Sequence, residues 1–484
     1  MIDLNGDAAV LERAVQRAAE RGIVIPTLAQ MRDPALIPSD VLDRLVGIGL
    51  SDTAPVNLFR INWHNEPVAS GGGFGAVNAI EIPASLTGVE ARIIAMVGKW
   101  FPTGAHKVGA AFGCLVPRLV TGGFDPTRSK AAWPSTGNYC RGGAFDSALL
   151  GCDALAILPE GMSRERFAWL EQIGAEIIKT PGSESNVKEI FDECNRLRAS
   201  GQDVVIFNQF DELGNYLWHY SVTGPAMVEA AALLAPRTAV AGVVLATGSA
   251  GTIASGDYVK QAHPGSRIAA AEALQCPTML RNGYGSHRIE GIGDKHIPWI
   301  HNVHNTDAVI AVDDADPMAV LRLFNEPVGR DFLLREGVPA AMVERLGLFG
   351  ISGIANLLAS ISFARQYRLG SDAVVLTVLT DSVDLYHSRV AELAATEGPY
   401  SPMTAAGAYR GHLLGQGTDH VLVLDPDSRR RIHNLKYFTW VEQQGKTVDE
   451  LDAQWIPAYW EATQAQAPEI DRLIGAFNAR VAAA

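Results

Sequence analysis

From about residue 90 to 390 the chain alternates short apolar, β-branched runs with longer stretches whose apolar positions recur at helical spacing. ALAILPEG (154–161) and VVIFNQF (204–210) are apolar runs closed by turn or polar residues, and between them RERFAWLEQIGAEIIKT opens with helical spacing. AVAGVVLATG (239–248) and DAVVLTVLTDS (372–382) have the same strand character. Strands separated by helices cannot be joined by tight hairpins, so the pattern predicts parallel pairing through crossovers, in sheets flanked by helices.

The two ends differ from this body. Residues 1 to about 60 predict a helical lead-in followed by the Pro-containing connector PTLAQMRDPALIPSD. Beyond about residue 395 come GPYSPMTAAGAYRGHLLGQG, a strand candidate HVLVLD, the basic run SRRRIH and helical segments rich in Trp, Glu and Gln. This tail is expected to pack on the body, with Arg429, Arg430 and Arg431 forming a solvated face. Leu346–Ala364 carries no charge and approaches the roughly 20 residues of a membrane helix. Its glycines, serines and Asn356 instead predict a buried loop and helix.

With 484 residues, 48% hydrophobic and 19% charged, the chain can bury more than one core, so two or three domains are expected. Forty Lys and Arg against 53 Asp and Glu leave a formal charge of -13, which argues against a nucleic-acid partner. Cys114, Cys140, Cys152, Cys194 and Cys276 form no C-x-x-C pair, and the opening MIDLNGDAAVLERAVQRAAERG lacks a basic-then-apolar pattern. A reducing cytoplasm is the expected location, with no membrane partner. His301 and His304 are spaced H-x-x-H without a third ligand in view, so no metal is expected.

Four segments carry candidate chemistry. TGAHKVGAAFG (103–113) puts Lys107 among small residues at a loop-to-helix junction; His106 beside it either tunes a cofactor or packs. WPSTGNYCRGGA (133–144) places Ser135, Thr136, Gly137 and Asn138 at a helix start. Hydroxyls and backbone N–H groups there could hold a carboxylate or simply cap the helix. VVLATGSAGTIASGDYV runs from a strand through Gly248, Ser249, Ala250, Gly251 and Thr252 into a helix, a phosphate cradle without a nucleotide-binding lysine or a dinucleotide spacing. VLTVLTDSVDLYHSR sets Thr380, Asp381 and Ser382 at the carboxyl end of a strand, the edge where ligands bind in open α/β sheets.

The order and wording of these segments resemble the cysteine synthase and cystathionine β-synthase family, fold type II pyridoxal-phosphate enzymes that also include tryptophan synthase β-like proteins. The resemblance covers roughly residues 95–392. It extends to LPEGMSRERFAWLEQIGAEIIKTPGS (158–183), NQFDELGNYLWHYSVTGPAM (208–227), HRIEGIGDKHIP (287–298) and GISGIANLLASI (350–361). It implies two three-layer αβα domains with mostly parallel sheets and pyridoxal 5'-phosphate in the cleft between them. A larger domain would span 61–112 and 213–394 and a smaller, mobile one 113–212, with extensions at 1–60 and 395–484. It further implies that Lys107 holds the cofactor as a Schiff base, Asn138 meets the ring hydroxyl, Gly248–Thr252 bind the phosphate and Ser382 faces the pyridine nitrogen. Ser135, Thr136, Gly137, Tyr139, Gln209 and Gly291 would line the substrate site.

The implied activity is β-elimination or β-replacement on a serine- or cysteine-type amino acid through an aminoacrylate. Lys107 would act as the base at Cα once burial brings it towards neutrality. A thiol or another nucleophile could be the second substrate, and a homodimer the assembly. A deaminating serine or threonine dehydratase is the enzymatic alternative, and a catalytically silent cofactor-binding subunit the alternative of another class. Three departures stand out: Tyr139 and Cys140 replace the family's usual Thr-Gly, Asp381 and Asp384 flank Ser382, and both ends are extended. Cys140 is expected to pack rather than react.

Overall fold

A computed structural model describes all residues except 68–69, 136, 183–186 and 294. Its strands are β1 (Ala79–Ile82), β2 (Arg92–Val97), β3 (Lys130–Pro134), β4 (Ala154–Pro159), β5 (Glu176–Thr180), β6 (Val204–Ile206), β7 (Ala239–Ala246), β8 (Arg267–Ala273), β9 (Ala308–Val312), β10 (Ala373–Leu379) and β11 (Val421–Val423). They form a seven-stranded sheet, β1-β2-β10-β7-β8-β9-β11, and a four-stranded sheet, β5-β4-β3-β6. Every pair in the smaller sheet is parallel. In the larger one only the edge strands β1 and β11 run antiparallel to their neighbours.

Both sheets are covered on both faces, because consecutive side chains of a strand point to opposite sides. On β2, Ile94 and Met96 enter one core while Ile93, Ala95 and Val97 enter another; on β10, Val374, Leu376 and Val378 oppose Val375 and Leu379. In the smaller sheet Ala131, Trp133, Ala156 and Leu158 share the first core, whereas Ala132, Leu155 and Ile157 face Ile190, Cys194 and Leu197 of the Val187–Ala199 helix. The predicted layered α/β architecture is therefore the one found. The charge-free stretch becomes a turn at Leu346–Leu348 and the Ile351–Gln366 helix, buried from Ile351 to Ala364 beneath the larger sheet. No helix among the described residues is long and apolar enough to cross a membrane.

The ends are tied to each other and to the body. Asp7 caps the Ala8–Glu20 helix by accepting from the backbone N–H groups of Ala9 and Val10. Asp471 on the Ala467–Ala483 helix accepts from the N–H groups of Leu28 and Ala29, and Asn478 pairs with the backbone of Ile25. HVLVLD supplies β11 as an edge strand of the larger sheet. The basic run is not a free solvated face. Arg429 pairs with Asp307 at 2.8 Å, Arg430 meets Asp452, and Arg431 donates to the Met279 carbonyl.

Lys436 is the deepest tether. Its fully buried Nζ donates to the carbonyls of Trp299 and His301, both at 2.8 Å, and to Gln454 Oε1 at 2.7 Å, between the rings of Trp299 and Trp460. Lys436→Met keeps the packing volume and strands three buried acceptors, each worth about 1–3 kcal/mol when unsatisfied. A fall in Tm of about 5 °C or more is expected in a thermal melt. A shift of less than about 1 °C would mean that the acceptors find other donors.

Candidate active site

The ends of β2 and β10 approach so closely that a Cβ on Gly98 would lie 2.3 Å from the Thr380 carbonyl oxygen. From there the chain turns through Thr103, held at φ 68°, and enters the Lys107–Thr121 helix. Lys107 is half-buried at the first helical position. Its Nζ donates to Ser249 Oγ at 2.9 Å and lies 3.5 Å from Gln209 Oε1. A segment that leaves β7, a second that follows β6 and the lysine of a third are thus brought to one point.

The glycine turn is built for close approach. Ala250 takes φ 62°, and a Cβ on Gly251 would sit 2.1 Å from Asn215 Oδ1. Asn215 Nδ2 donates to both Ser249 Oγ and the Gln209 carbonyl at 3.0 Å, fastening the turn to the segment after β6. Thr252 leads into the ten-residue helix Ile253–Ala262, whose N-terminal end faces the turn. Gly291 lies against Gly248, and the Gly293 N–H donates to the Thr247 carbonyl at 2.9 Å.

Across the cleft, β3 ends at Pro134 and Ser135 Oγ accepts from the Gly137 N–H at 2.9 Å. Gly137 is at φ 154°, and a Cβ there would meet Arg166 Nη1 at 2.2 Å. Thr136 lies outside the described residues. Asn138 starts a 13-residue helix and donates from Nδ2 to Asp381 Oδ2 at 2.6 Å. That same oxygen accepts from Tyr386 OH at 2.7 Å. Burial pushes the Asp381 carboxyl above its ordinary range, and the nearby charge of Arg166 opposes the shift. Ser382 is buried in the next turn, while Asp384 points outward to Lys99 at 2.8 Å. The acidic neighbour that enters the cleft is therefore Asp381.

Tyr139 requires a correction. Its phenol is turned away from the turn into the core, edge-on to Trp133 with centroids 5.4 Å apart, and burial pushes it well above the usual range. At the second position of a helix the side chain follows that helix's packed face, so the turn itself receives only its backbone. Cys140 donates to the Gly137 carbonyl, and burial raises its thiol to about 12, as suits a packing residue.

His106 is enclosed by Trp63 and His219, with Nε2 3.3 Å from Thr380 Oγ1. Burial and then the charge of Lys107 push it down to about 3, so the ring is neutral. His301 and His304 do not converge. His301 meets Thr306 Oγ1 at 2.9 Å, and His304 packs edge-on to Trp455.

Sequence patterns did not single out Asn215, Arg166 or Tyr386. Arg166 did leave one trace: it shares a helical stripe with Leu170 and Ile173, an odd place for a solvated cation. Two buried polar atoms have no hydrogen-bond partner among the described residues: Asn138 Oδ1, and Asn215 Oδ1 beside the glycine turn. This donor and acceptor set fits a small aldehyde bearing a phosphate arm.

Comparison with known proteins agrees. The model of the family described as "Pyridoxal-phosphate dependent enzyme" matches residues 99–381. A probable cysteine synthase of Bacillus subtilis is 27% identical over 288 residues, which is 59% of this chain and 85% of the relative. The cystathionine beta-synthase of Saccharomyces cerevisiae is 24% identical over 318 residues, 64% of this chain and 59% of the relative. O-acetyl serine sulfhydrylase isoform 3 from Entamoeba histolytica superposes with a TM-score of 0.56 at 20% identity, covering 69% of this chain and 93% of that one. The O-acetylserine dependent cystathionine beta-synthase of Helicobacter pylori gives 0.53 at 21% identity, covering 64% and 95%. These two solved structures share the fold.

Proposed function

The chain belongs to the family of pyridoxal-phosphate dependent enzymes, and from that premise we propose that it carries out β-elimination or β-replacement on a serine- or cysteine-type amino acid. The observation that carries this reading is the 2.9 Å contact between Lys107 Nζ and Ser249 Oγ, an amine meeting the glycine turn that follows β7. In the reading, Lys107 takes the cofactor's aldehyde, Gly248, Ser249, Ala250, Gly251 and Thr252 grip its phosphate, Asn138 meets the ring hydroxyl and Ser382 faces the pyridine nitrogen. Ser135, Thr136, Gly137 and Gln209 hold the substrate carboxylate, with Gly291 flanking it.

When bound, pyridoxal phosphate supplies an electron sink that acidifies the Cα–H bond of an amino acid and lets a β-substituent depart. The chain's own residues set the course. Lys107 would hold the cofactor's aldehyde and its amine would serve as the base for the Cα proton, oriented by Ser249 Oγ and Gln209 Oε1. Ser382 would offer the ring nitrogen a neutral hydroxyl, which would not require that nitrogen to be protonated. Names of similar proteins, cysteine synthase and cystathionine beta-synthase, support this substrate class.

The larger sheet and its helices would form the cofactor domain (61–112 and 213–394), and the smaller sheet a second domain (113–212) that moves against it. A cytoplasmic homodimer completes the proposal, supported by the family resemblance.

Holoenzyme incubated with O-acetyl-L-serine tests the reading, with and without sulfide. A new amino acid that depends on sulfide establishes replacement, and pyruvate with ammonia in its absence establishes elimination. Keto acid from serine or threonine, with β-activated alanines inert, would overturn the reading in favour of a dehydratase. Bound cofactor without turnover of any of these would leave a silent subunit.

A further inference from the structure

Two buried arginines lie near these residues, and one of them, Arg141, forms no ion pair among the described residues. Arg141 lies one helical turn past Asn138, 3% exposed, with its guanidinium 4.8 Å over the Trp169 ring. Its Nε and Nη1 reach no hydrogen-bond acceptor among the described residues. The charges of Arg166 and Asp381 both act on it.

Neither nearby carboxylate is paired with it. Asp381 Oδ2 is taken by Asn138 and Tyr386, and Oδ1, beside Gly350, has no hydrogen-bond partner among the described residues and makes no ion pair with Arg141. Glu290 is shared between Arg166 at 3.1 Å and Arg389 at 2.7 Å. Arg166 is itself fixed, donating from Nη2 to Tyr386 OH at 3.0 Å while its Nη1 abuts Gly137. Asp146, five residues beyond Arg141, is fully buried with no hydrogen-bond partner among the described residues, burial pushes its carboxyl well up, and it forms no ion pair with Arg141. A buried guanidinium without a paired anion is costly to a fold, and the cost is removed when a ligand brings the missing charge.

We propose that Arg141, with Arg166 beside it, forms a second anion subsite in the cleft, and that the substrate is an amino acid bearing an anionic group, such as a phosphate ester or a sulfonate, beyond its β-carbon. This rests on the reading above that an amino acid is held at the Ser135–Asn138 turn. The α-carboxylate already has the backbone and hydroxyls of that turn at the start of the helix. Arg141 lies a full turn deeper, so the charge it meets is a different one. Guanidinium groups bind phosphate and sulfonate through several donors at once, which gives geometric selection as well as charge.

The test is equilibrium binding to wild-type holoenzyme, followed through the cofactor's visible spectrum, with O-phospho-L-serine, L-cysteate and O-acetyl-L-serine as probes. The two anions are expected to bind about tenfold or more tighter than the neutral ester. Arg141→Met should bring the ratio of Kd values to about one, and Arg141→Lys should retain part of it. Equal affinity of all three for the wild type overturns the subsite, and this comparison does not depend on any variant folding. A uniform loss across the three probes in Arg141→Met would also overturn it, giving Arg141 to the α-carboxylate instead. A cofactor spectrum unmoved by every amino acid would overturn the underlying reading first, a result distinct from either.

Discussion

Lys107→Ala is expected to lower kcat by about 10⁴-fold or more and to abolish the visible absorbance band of the bound cofactor. In the proposed function two roles end with one side chain, the covalent hold on the aldehyde and the base at Cα. The loss therefore exceeds what removal of a proton-transfer group alone brings. The fold should survive. Lys107 is half-buried at a helix start, alanine is the best helix former, and the group it leaves behind, Ser249 Oγ, keeps its bond to Asn215. An unchanged circular dichroism melt would show that the effect is chemical. Added small primary amines are expected to restore a fraction of the turnover, since they can supply the missing base. Residual activity within tenfold of the wild type would remove Lys107 from the chemistry altogether.

Much of the architecture was legible because strand burial here is two-sided, so strands such as AVAGVVLA and AVVLTVL are almost wholly apolar and announce parallel strands. The tail was legible as far as HVLVLD, which is β11, but nothing local could say that it pairs antiparallel with β9. The Gly248–Thr252 turn between β7 and the Ile253–Ala262 helix was also visible, since glycine and small residues at a strand-to-helix junction mark a tight turn. What stayed hidden depends on side-chain direction and on distant partners. Tyr139 sits in a polar turn by sequence and in the apolar core by structure. Arg429 and Arg431 look like a solvated run, yet each finds an acceptor more than a hundred residues away. Asp381 follows β10 and Arg141 lies on the helix after β3, and only the closed fold brings one charge to act on the other.

Gly251→Ala should weaken cofactor binding by about a hundredfold or more while leaving the apo fold near its original stability. The added methyl would lie 2.1 Å from Asn215 Oδ1 and 2.8 Å from its Cγ. A flexible surface side chain would swing away, but Asn215 is fully buried and its amide is committed on both sides, to Ser249 Oγ and to the Gln209 carbonyl. Moving it releases the serine that Lys107 contacts and loosens the segment carrying Gln209. The turn then loses the convergence of N–H groups on one anion, and losing one or two charge-assisted hydrogen bonds at about 1.5–3 kcal/mol each accounts for the expected factor. Titration of apo protein with pyridoxal phosphate measures it. The sharper sign is that inorganic phosphate should compete with the cofactor less well in the variant than in the wild type, because the damage is to the anion grip and not to the amine. An affinity within threefold of the wild type would show that Asn215 yields at no cost and that the turn does not depend on it.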